Sequence, residues 1–217
     1  MTIGIVVFPG SNSNLDIRWA TEGCLGIATR FIWYQEVNLN GLAAIILPGE
    51  FNYGGHLPYD GVKRFLPILQ SINTFAQEGG KILGICNGFH ILTEMGLLPG
   101  SLIRNQNLHF ICQSSQLEIQ NTDSSWMKHY ISGQIISLPI AHGKGRYHCS
   151  KEDLRVLEDQ GSIALRYKNN PNGSISKIAG ITNYRKNILG LMPHPERACD
   201  PVIGGIDGRK LLLSLVE

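Results

Sequence analysis

The stretch Lys81–Gly100, KILGICNGFHILTEMGLLPG, decides how this chain is read. A short apolar run from Lys81 to Ile85 ends in Gly84-Ile85-Cys86-Asn87-Gly88, and a helical pattern begins at once. A strand that passes into a helix without a loop places Cys86 on a tight turn. A sulfur there sits at the positive end of a helix macrodipole, which favours the thiolate as the reacting form. Small residues on both sides allow the sharp bend that an exposed nucleophile needs.

The same alternation recurs upstream. Ile3 to Phe8 is a continuous apolar run, as expected of a strand covered on both faces. Asn14 to Ala28 carries a helical pattern through Leu15, Trp19 and Leu25. Thr29 to Tyr34 is β-branched and aromatic, a second strand. Ala43 to Leu47 is a third, stopped by Pro48-Gly49. Gly61 to Glu78 is helical, with Val62, Phe65, Leu66, Leu69, Ile72 and Phe75 on its apolar face, and Gly79-Gly80 ends it before the fourth strand, Lys81 to Ile85. Strands alternating with helices predict an α/β fold with a mostly parallel central sheet flanked by helices. In such sheets sites form at the carboxyl ends of the strands. Pro9 to Asn14, Pro48 to Gly55 and the turn at Cys86 are therefore the candidate loops.

The second half reads differently. Leu108 to Cys112, Leu117 to Gln120 and Gln134 to Ala141 are short strand-like runs without long helices between them, which predicts antiparallel strands added to the sheet. Ile163 to Tyr167 and Lys177 to Asn183 flank Asn169-Asn-Pro-Asn-Gly173, a hairpin signal. Ile188 to Met192 is another buried strand, and Asp207 to Val216 a terminal helix. With no repeat, linker or low-complexity segment, residues 1–217 are expected to form one domain.

Apolar residues make up 43% and charged residues 17% of the chain, enough for a large core. The net charge is +2 with no run of Lys or Arg, so no nucleic-acid partner is expected. No apolar stretch approaches the roughly 20 residues that span a bilayer, so no membrane partner is expected. The N-terminus reads as a strand rather than a signal peptide. Together with five scattered cysteines, this favours a reduced, cytoplasmic chain. Cys24, Cys112, Cys149 and Cys199 read as packing residues. Asn172-Gly173-Ser174 is better read as a turn than as a glycosylation site.

A nucleophilic cysteine needs a base, and the base an orienting group. Of seven histidines, His194 stands apart in Met192-Pro-His-Pro-Glu196. It follows an apolar strand and so lies at the same sheet edge as Cys86. The flanking prolines hold the segment extended, so Glu196, two residues on, points the same way and can orient the imidazole. His142 and His148 lack a further ligand at metal-binding spacing, so no metal site is expected, and both read as structural or interface residues. Gly143-Lys-Gly-Arg146 reads as a turn rather than a phosphate loop.

Gly84-Ile-Cys86-Asn-Gly88 and His194-Pro-Glu196 resemble the class I, or triad, glutamine amidotransferases, a family with a flavodoxin-like fold. Val7-Phe-Pro-Gly-Ser-Asn12, Pro48-Gly-Glu-Phe-Asn-Tyr-Gly54, Arg104-Asn105, Pro139-Ile-Ala-His-Gly143, Pro171-Asn-Gly-Ser174, Ile178-Ala-Gly-Ile-Thr-Asn183 and Met192-Pro-His-Pro-Glu-Arg197 are similar to one branch of it. That branch comprises the glutaminase subunits of phosphoribosylformylglycinamidine synthase, in purine biosynthesis. The resemblance implies glutamine as substrate, Cys86, His194 and Glu196 as the triad, and oxyanion donors from Asn87 and the Gly49–Phe51 loop. Gly49, Glu50, Phe51, Asn87 and His90 thus become the substrate-binding candidates. It implies no cofactor in this chain, with ATP and magnesium on a partner synthetase subunit and a small bridging subunit beside it. The absence of a G-x-x-x-x-G-K-[ST] loop agrees with that division. Several residues depart from the pattern: Glu50 replaces a second Gly, Gly55 an Asp, Pro58 an Arg, His90 a Gln and Lys144 a Glu. His90 has both a substrate-contacting and a structural reading. The alternatives to the branch are a triad subunit of another pathway and a catalytically weakened regulatory relative.

Overall fold

A computed structural model describes residues 1–49 and 59–217, with the side chains of 59–66 left aside. The elements run β1 (Thr2–Val7), α1 (Asn14–Arg18), β2 (Thr29–Trp33), β3 (Leu42–Leu47), α2 (Tyr59–Gln77), β4 (Lys81–Ile85) and α3 (Asn87–Glu94). They continue with β5 (Ser101–Ile103), β6 (Ile111–Ile119), β7 (Ile135–His142), β8 (Arg146–His148), α4 (Lys151–Asp159), β9 (Ile163–Tyr167), β10 (Ile178–Thr182), β11 (Ile188–Leu191) and α5 (Arg209–Leu213). One large sheet has the order β2-β1-β3-β4-β11-β10-β9-β6-β7, and β5 pairs with β8 separately.

The first five strands of that order are parallel and the rest are joined antiparallel. This is the doubly wound core with an antiparallel extension that the two halves of the sequence predict. Burial follows the same division. Ile45, Ile46, Ile82, Leu83, Ile188 and Leu189 are buried as continuous runs in strands covered on both faces. In β6 and β7, buried and exposed residues alternate because one face meets water.

Where the structure departs from the sequence reading, the causes are local. The expected helix Asn14 to Ala28 is α-helical only to Arg18 and continues as a π-helix, Trp19–Cys24. Thr21 turns its hydroxyl back onto the Ile17 carbonyl at 2.7 Å, a bond that competes with the regular ladder. The buried face is accordingly Ile17, Ala20 and Thr21, while Leu15 and Trp19 are exposed. The two expected runs Leu108 to Cys112 and Leu117 to Gln120 are one strand, β6, because Ile111 through Glu118 pair residue by residue with β7. Leu108 lies outside it at φ 61°, and Cys112 is exposed on its solvent face rather than packed. Helix α4 was not expected. Its start is signalled by Ser150, whose hydroxyl accepts the Asp153 N–H at 2.9 Å, but its few apolar positions hide the period. Strands β9 and β10 do pair antiparallel, though through a long connection, residues 168–177, that folds back toward the sheet edge described next.

Candidate active site

Strands β1, β3, β4 and β11 all end at one edge of the sheet. Cys86 follows β4 there and caps α3 at φ 51° and ψ −104°, outside the ordinary wells for a non-glycine residue. Such a conformation costs on the order of 1–3 kcal/mol and survives only where the surroundings enforce it. Two glycines enforce it. A Cβ on Gly84 would lie 2.5 Å from Leu92 Cδ1 and 2.7 Å from the Gly88 carbonyl. A Cβ on Gly88 would lie 2.0 Å from the carbonyl oxygen of Leu47, at the end of β3. Strand β4, helix α3 and strand β3 therefore meet at van der Waals distance only because these positions carry no side chain.

His194 follows β11 and is fully buried. Its Nδ1 lies 2.7 Å from Glu196 Oε1. The expected neighbours are thus brought together, but not through an extended run. Pro195 starts a 3-10 turn, Pro195–Ala198, and that turn folds Glu196 back onto the ring. Burial works against a charge on His194, yet the Glu196 carboxylate and the Cys86 sulfur outweigh it and hold the imidazole up to about 10. Gly49, at the end of β3, lies between the partners: its Cβ would be 3.0 Å from His194 Cε1 and 3.1 Å from Cys86 Cβ. The Gly49 carbonyl is held by the hydroxyl of Ser13, from the first candidate loop.

The edge strand β7 curls back over this group. The Pro139 carbonyl accepts the His194 N–H at 2.8 Å, and the Ala141 carbonyl accepts the Cys86 thiol at 3.9 Å. His90, one turn into α3, is buried, and its Nε2 lies 2.6 Å from the Lys144 carbonyl, which ties the helix to the turn after β7. Asn87 is the first residue of α3, where backbone N–H groups have no partner within the helix. Glu50, Phe51, Gly55 and Pro58 lie outside the described residues.

Sequence reasoning missed part of this site. His142 is buried at the end of β7. Burial, with the His194 and His90 rings adding repulsion, pushes its imidazole down to about 4. Tyr167, at the end of β9, is enclosed near Cys86, and burial together with the sulfur's charge pushes its phenol up. Tyr167 carries no motif of its own, and the Pro139-Ile-Ala-His-Gly143 motif that contains His142 gave the histidine no place in the site; both arrive through strand pairing. His148, by contrast, is exposed on β8. Among the described residues no three His, Cys, Asp or Glu side chains come together as metal ligands, and no helix is long and apolar enough to cross a membrane.

The His194 pair has a consequence for stability. A folded value near 10 exceeds the unfolded value of about 6.5, so the stabilisation is fully present below about pH 6.5 and is lost as pH rises through about 10. Melting temperature is expected to fall between these limits, and His194→Gln should flatten that part of the profile. A profile equally steep in the variant would assign the slope to other groups.

A strained cysteine on a helix N-terminus, beside a buried histidine oriented by a carboxylate, can attack a carbonyl carbon, protonate a leaving nitrogen and then activate water. Comparison with known proteins agrees with that chemistry. Residues 1–206 match the model of the CobB/CobQ-like glutamine amidotransferase domain. A phosphoribosylformylglycinamidine synthase subunit PurQ from Prochlorococcus marinus is 58% identical over 217 residues, covering all of both chains. The protein of the same name from another strain of that species is 59% identical, again over the whole of both. Among solved structures, PurLQS from Thermotoga maritima superposes with a TM-score of 0.89 at 39% identity, covering 99% of this chain and 97% of that one.

Proposed function

Because this chain belongs to the CobB/CobQ-like glutamine amidotransferase family, we propose that it is the glutaminase subunit of phosphoribosylformylglycinamidine synthase, supplying ammonia for de novo purine biosynthesis. The observation that carries the mechanism is Cys86 on its enforced turn, with His194 and Glu196 at the same strand edge. The Cys86 thiolate attacks the side-chain carboxamide carbon of glutamine. The carbonyl oxygen takes up the negative charge and is met by the backbone N–H groups of Asn87 and Gly49. Collapse of the tetrahedral adduct breaks the carbon–nitrogen bond, and the His194 imidazolium protonates the departing nitrogen as ammonia. Neutral His194 then takes a proton from water, which attacks the γ-glutamyl thioester. Glutamate leaves and the thiolate returns. Glu196 holds the ring in one tautomer and stabilises its charged form throughout.

Hydrolysis of the amide balances with water alone. ATP and magnesium therefore belong to the step that uses the ammonia, on a synthetase subunit with which this chain assembles. That step converts formylglycinamide ribonucleotide to its amidine. A small bridging subunit completes the assembly, in the cytoplasm. The likeness to PurLQS supports the assembly with a synthetase subunit. Restricting glutamine hydrolysis to the assembled complex is physically sensible, since ammonia released elsewhere is lost to solvent.

The test is covalent capture. In the assembled complex, 6-diazo-5-oxo-norleucine should attach to the peptide containing Cys86, and glutamine should protect it. Mass spectrometry showing no adduct on that peptide, or an adduct on another cysteine, would overturn the assignment.

A further inference from the structure

The ring of His142 is held in one tautomer by Asn105. The Asn105 Nδ2 group donates to the carbonyl of His109 at 2.9 Å and to that of His142 at 2.8 Å, so Oδ1 is the accepting end of the amide. Oδ1 takes the Gly145 N–H at 3.1 Å and faces His142 Nδ1 at 3.1 Å. Nδ1 must therefore carry a proton and donate it. Gly145 closes against the ring: a Cβ there would lie 2.3 Å from Nδ1. Asn172 holds the same turn from the other side, its Nδ2 donating to the Gly145 carbonyl at 2.7 Å. The ring is neutral, since burial keeps it from charging at neutral pH.

Its other nitrogen is left over. Nε2 of His142 is buried and has no hydrogen-bond partner among the described residues. A buried acceptor without a donor costs free energy, and native proteins rarely keep one without a use. Its place in the fold suggests the use. The Pro139 and Ala141 carbonyls, on the same strand end, bond to the His194 backbone and the Cys86 sulfur, and His142 follows them there, close enough to the His194 ring for the two imidazoles to oppose each other's charging.

We propose that the His142 Nε2 lone pair accepts a hydrogen bond from the carboxamide nitrogen of glutamine and keeps it while that nitrogen departs as ammonia. The inference rests on the glutaminase reading above. Of the two groups on the substrate's reacting carbon, the oxygen only accepts and goes to the oxyanion donors; the nitrogen is the donor that a lone pair requires. The contact selects the amide. Glutamate presents only carboxylate lone pairs at that point, so the same atom that holds the substrate repels the product. His142 thus acts as a specificity-determining residue.

Two near-isosteric variants separate this role from the packing role. In His142→Asn, the side-chain amide reaches the place of Nδ1 and still donates to Asn105, but nothing replaces Nε2. In His142→Gln, a carbonyl oxygen reaches the place of Nε2. The assembled complex is assayed for glutamate release from glutamine and for inhibition by added glutamate. In H142N, the ratio of the glutamate inhibition constant to the glutamine KM should fall roughly ten- to hundredfold, and H142Q should recover most of it. An unchanged ratio in folded H142N, or an equal loss in H142Q, overturns the proposal. If thermal melting shows that H142N does not fold, H142Q decides alone: retention of the ratio supports the contact and its loss overturns it. A wild-type complex that releases no glutamate from glutamine overturns the glutaminase reading instead, which keeps the two failures apart.

Discussion

Replacing Cys86 with alanine is expected to abolish glutamine-dependent amidine formation by the assembled synthase and to leave formation from added ammonia intact. The turn itself should survive. Position 86 already carries a Cβ at φ 51°, and the glycines that make room for it at 84 and 88 are untouched. What is lost is the sulfur that forms the thioester, and with it the only route by which this site breaks the carbon–nitrogen bond. Glutamine-dependent turnover should fall by at least about a thousandfold. Free ammonia bypasses the site and reaches the synthetase directly. Parallel assays with glutamine and with ammonium chloride read both arms. Survival of the glutamine-dependent arm would falsify the role given to Cys86, whereas loss of both arms would indicate failed assembly.

The second large effect is expected at Gly88, which touches no substrate. A methyl group added there meets the Leu47 carbonyl oxygen at 2.0 Å and its carbonyl carbon at 2.8 Å, and both are backbone atoms of a buried strand. Neither can rotate away, so Gly88→Ala must lift α3 off the end of β3. Over-packing of this kind costs about 3 kcal/mol. For a chain of this length that corresponds to a fall in melting temperature of roughly 6–12 °C. The same displacement carries Cys86 and the Asn87 N–H away from Gly49 and His194. A misplacement on the order of 1 Å costs about a hundredfold in rate, so glutaminase activity should drop by that factor or more even below the melting transition. Calorimetry together with glutamate release checks both. A variant with wild-type melting and wild-type turnover would show that the contact between α3 and β3 does not hold the nucleophile in place.

The parts of this protein that were legible in the sequence share one property: their signal is local. The strands Thr2–Val7, Leu42–Leu47, Lys81–Ile85 and Ile188–Leu191 are continuous apolar runs, because burial on both faces leaves no room for polar alternation. Cys86 announces itself through the small residues around it, and His194 through the prolines that isolate it. Legibility failed where pairing between distant segments overrides local preference. Gln113 to Gln116 has little strand character, yet it lies mid-strand because β7 pairs with it throughout. The π-helix at Trp19–Cys24 follows from a bond between a hydroxyl and a carbonyl that no apolar period records.

The sequence alone determined the order of strands and helices through α3, the strand edge on which chemistry could occur, and Cys86, His194 and Glu196 as the group proposed to act there. The tertiary structure decided how those groups meet. A 3-10 turn, rather than an extended run, brings Glu196 to His194. The curl of β7 brings the Pro139 carbonyl to His194 and the Ala141 carbonyl to Cys86. Asn105 and Asn172 reach the His142–Gly145 turn from segments far apart in the chain, and their hydrogen bonds to it exist only once the antiparallel strands have closed. A side chain's type sets what it can donate or accept, but which atom it meets depends on backbone paths that no single segment encodes. For that reason Cys86 could be recognised from its neighbours in sequence, and the free nitrogen of His142 only from its neighbours in space.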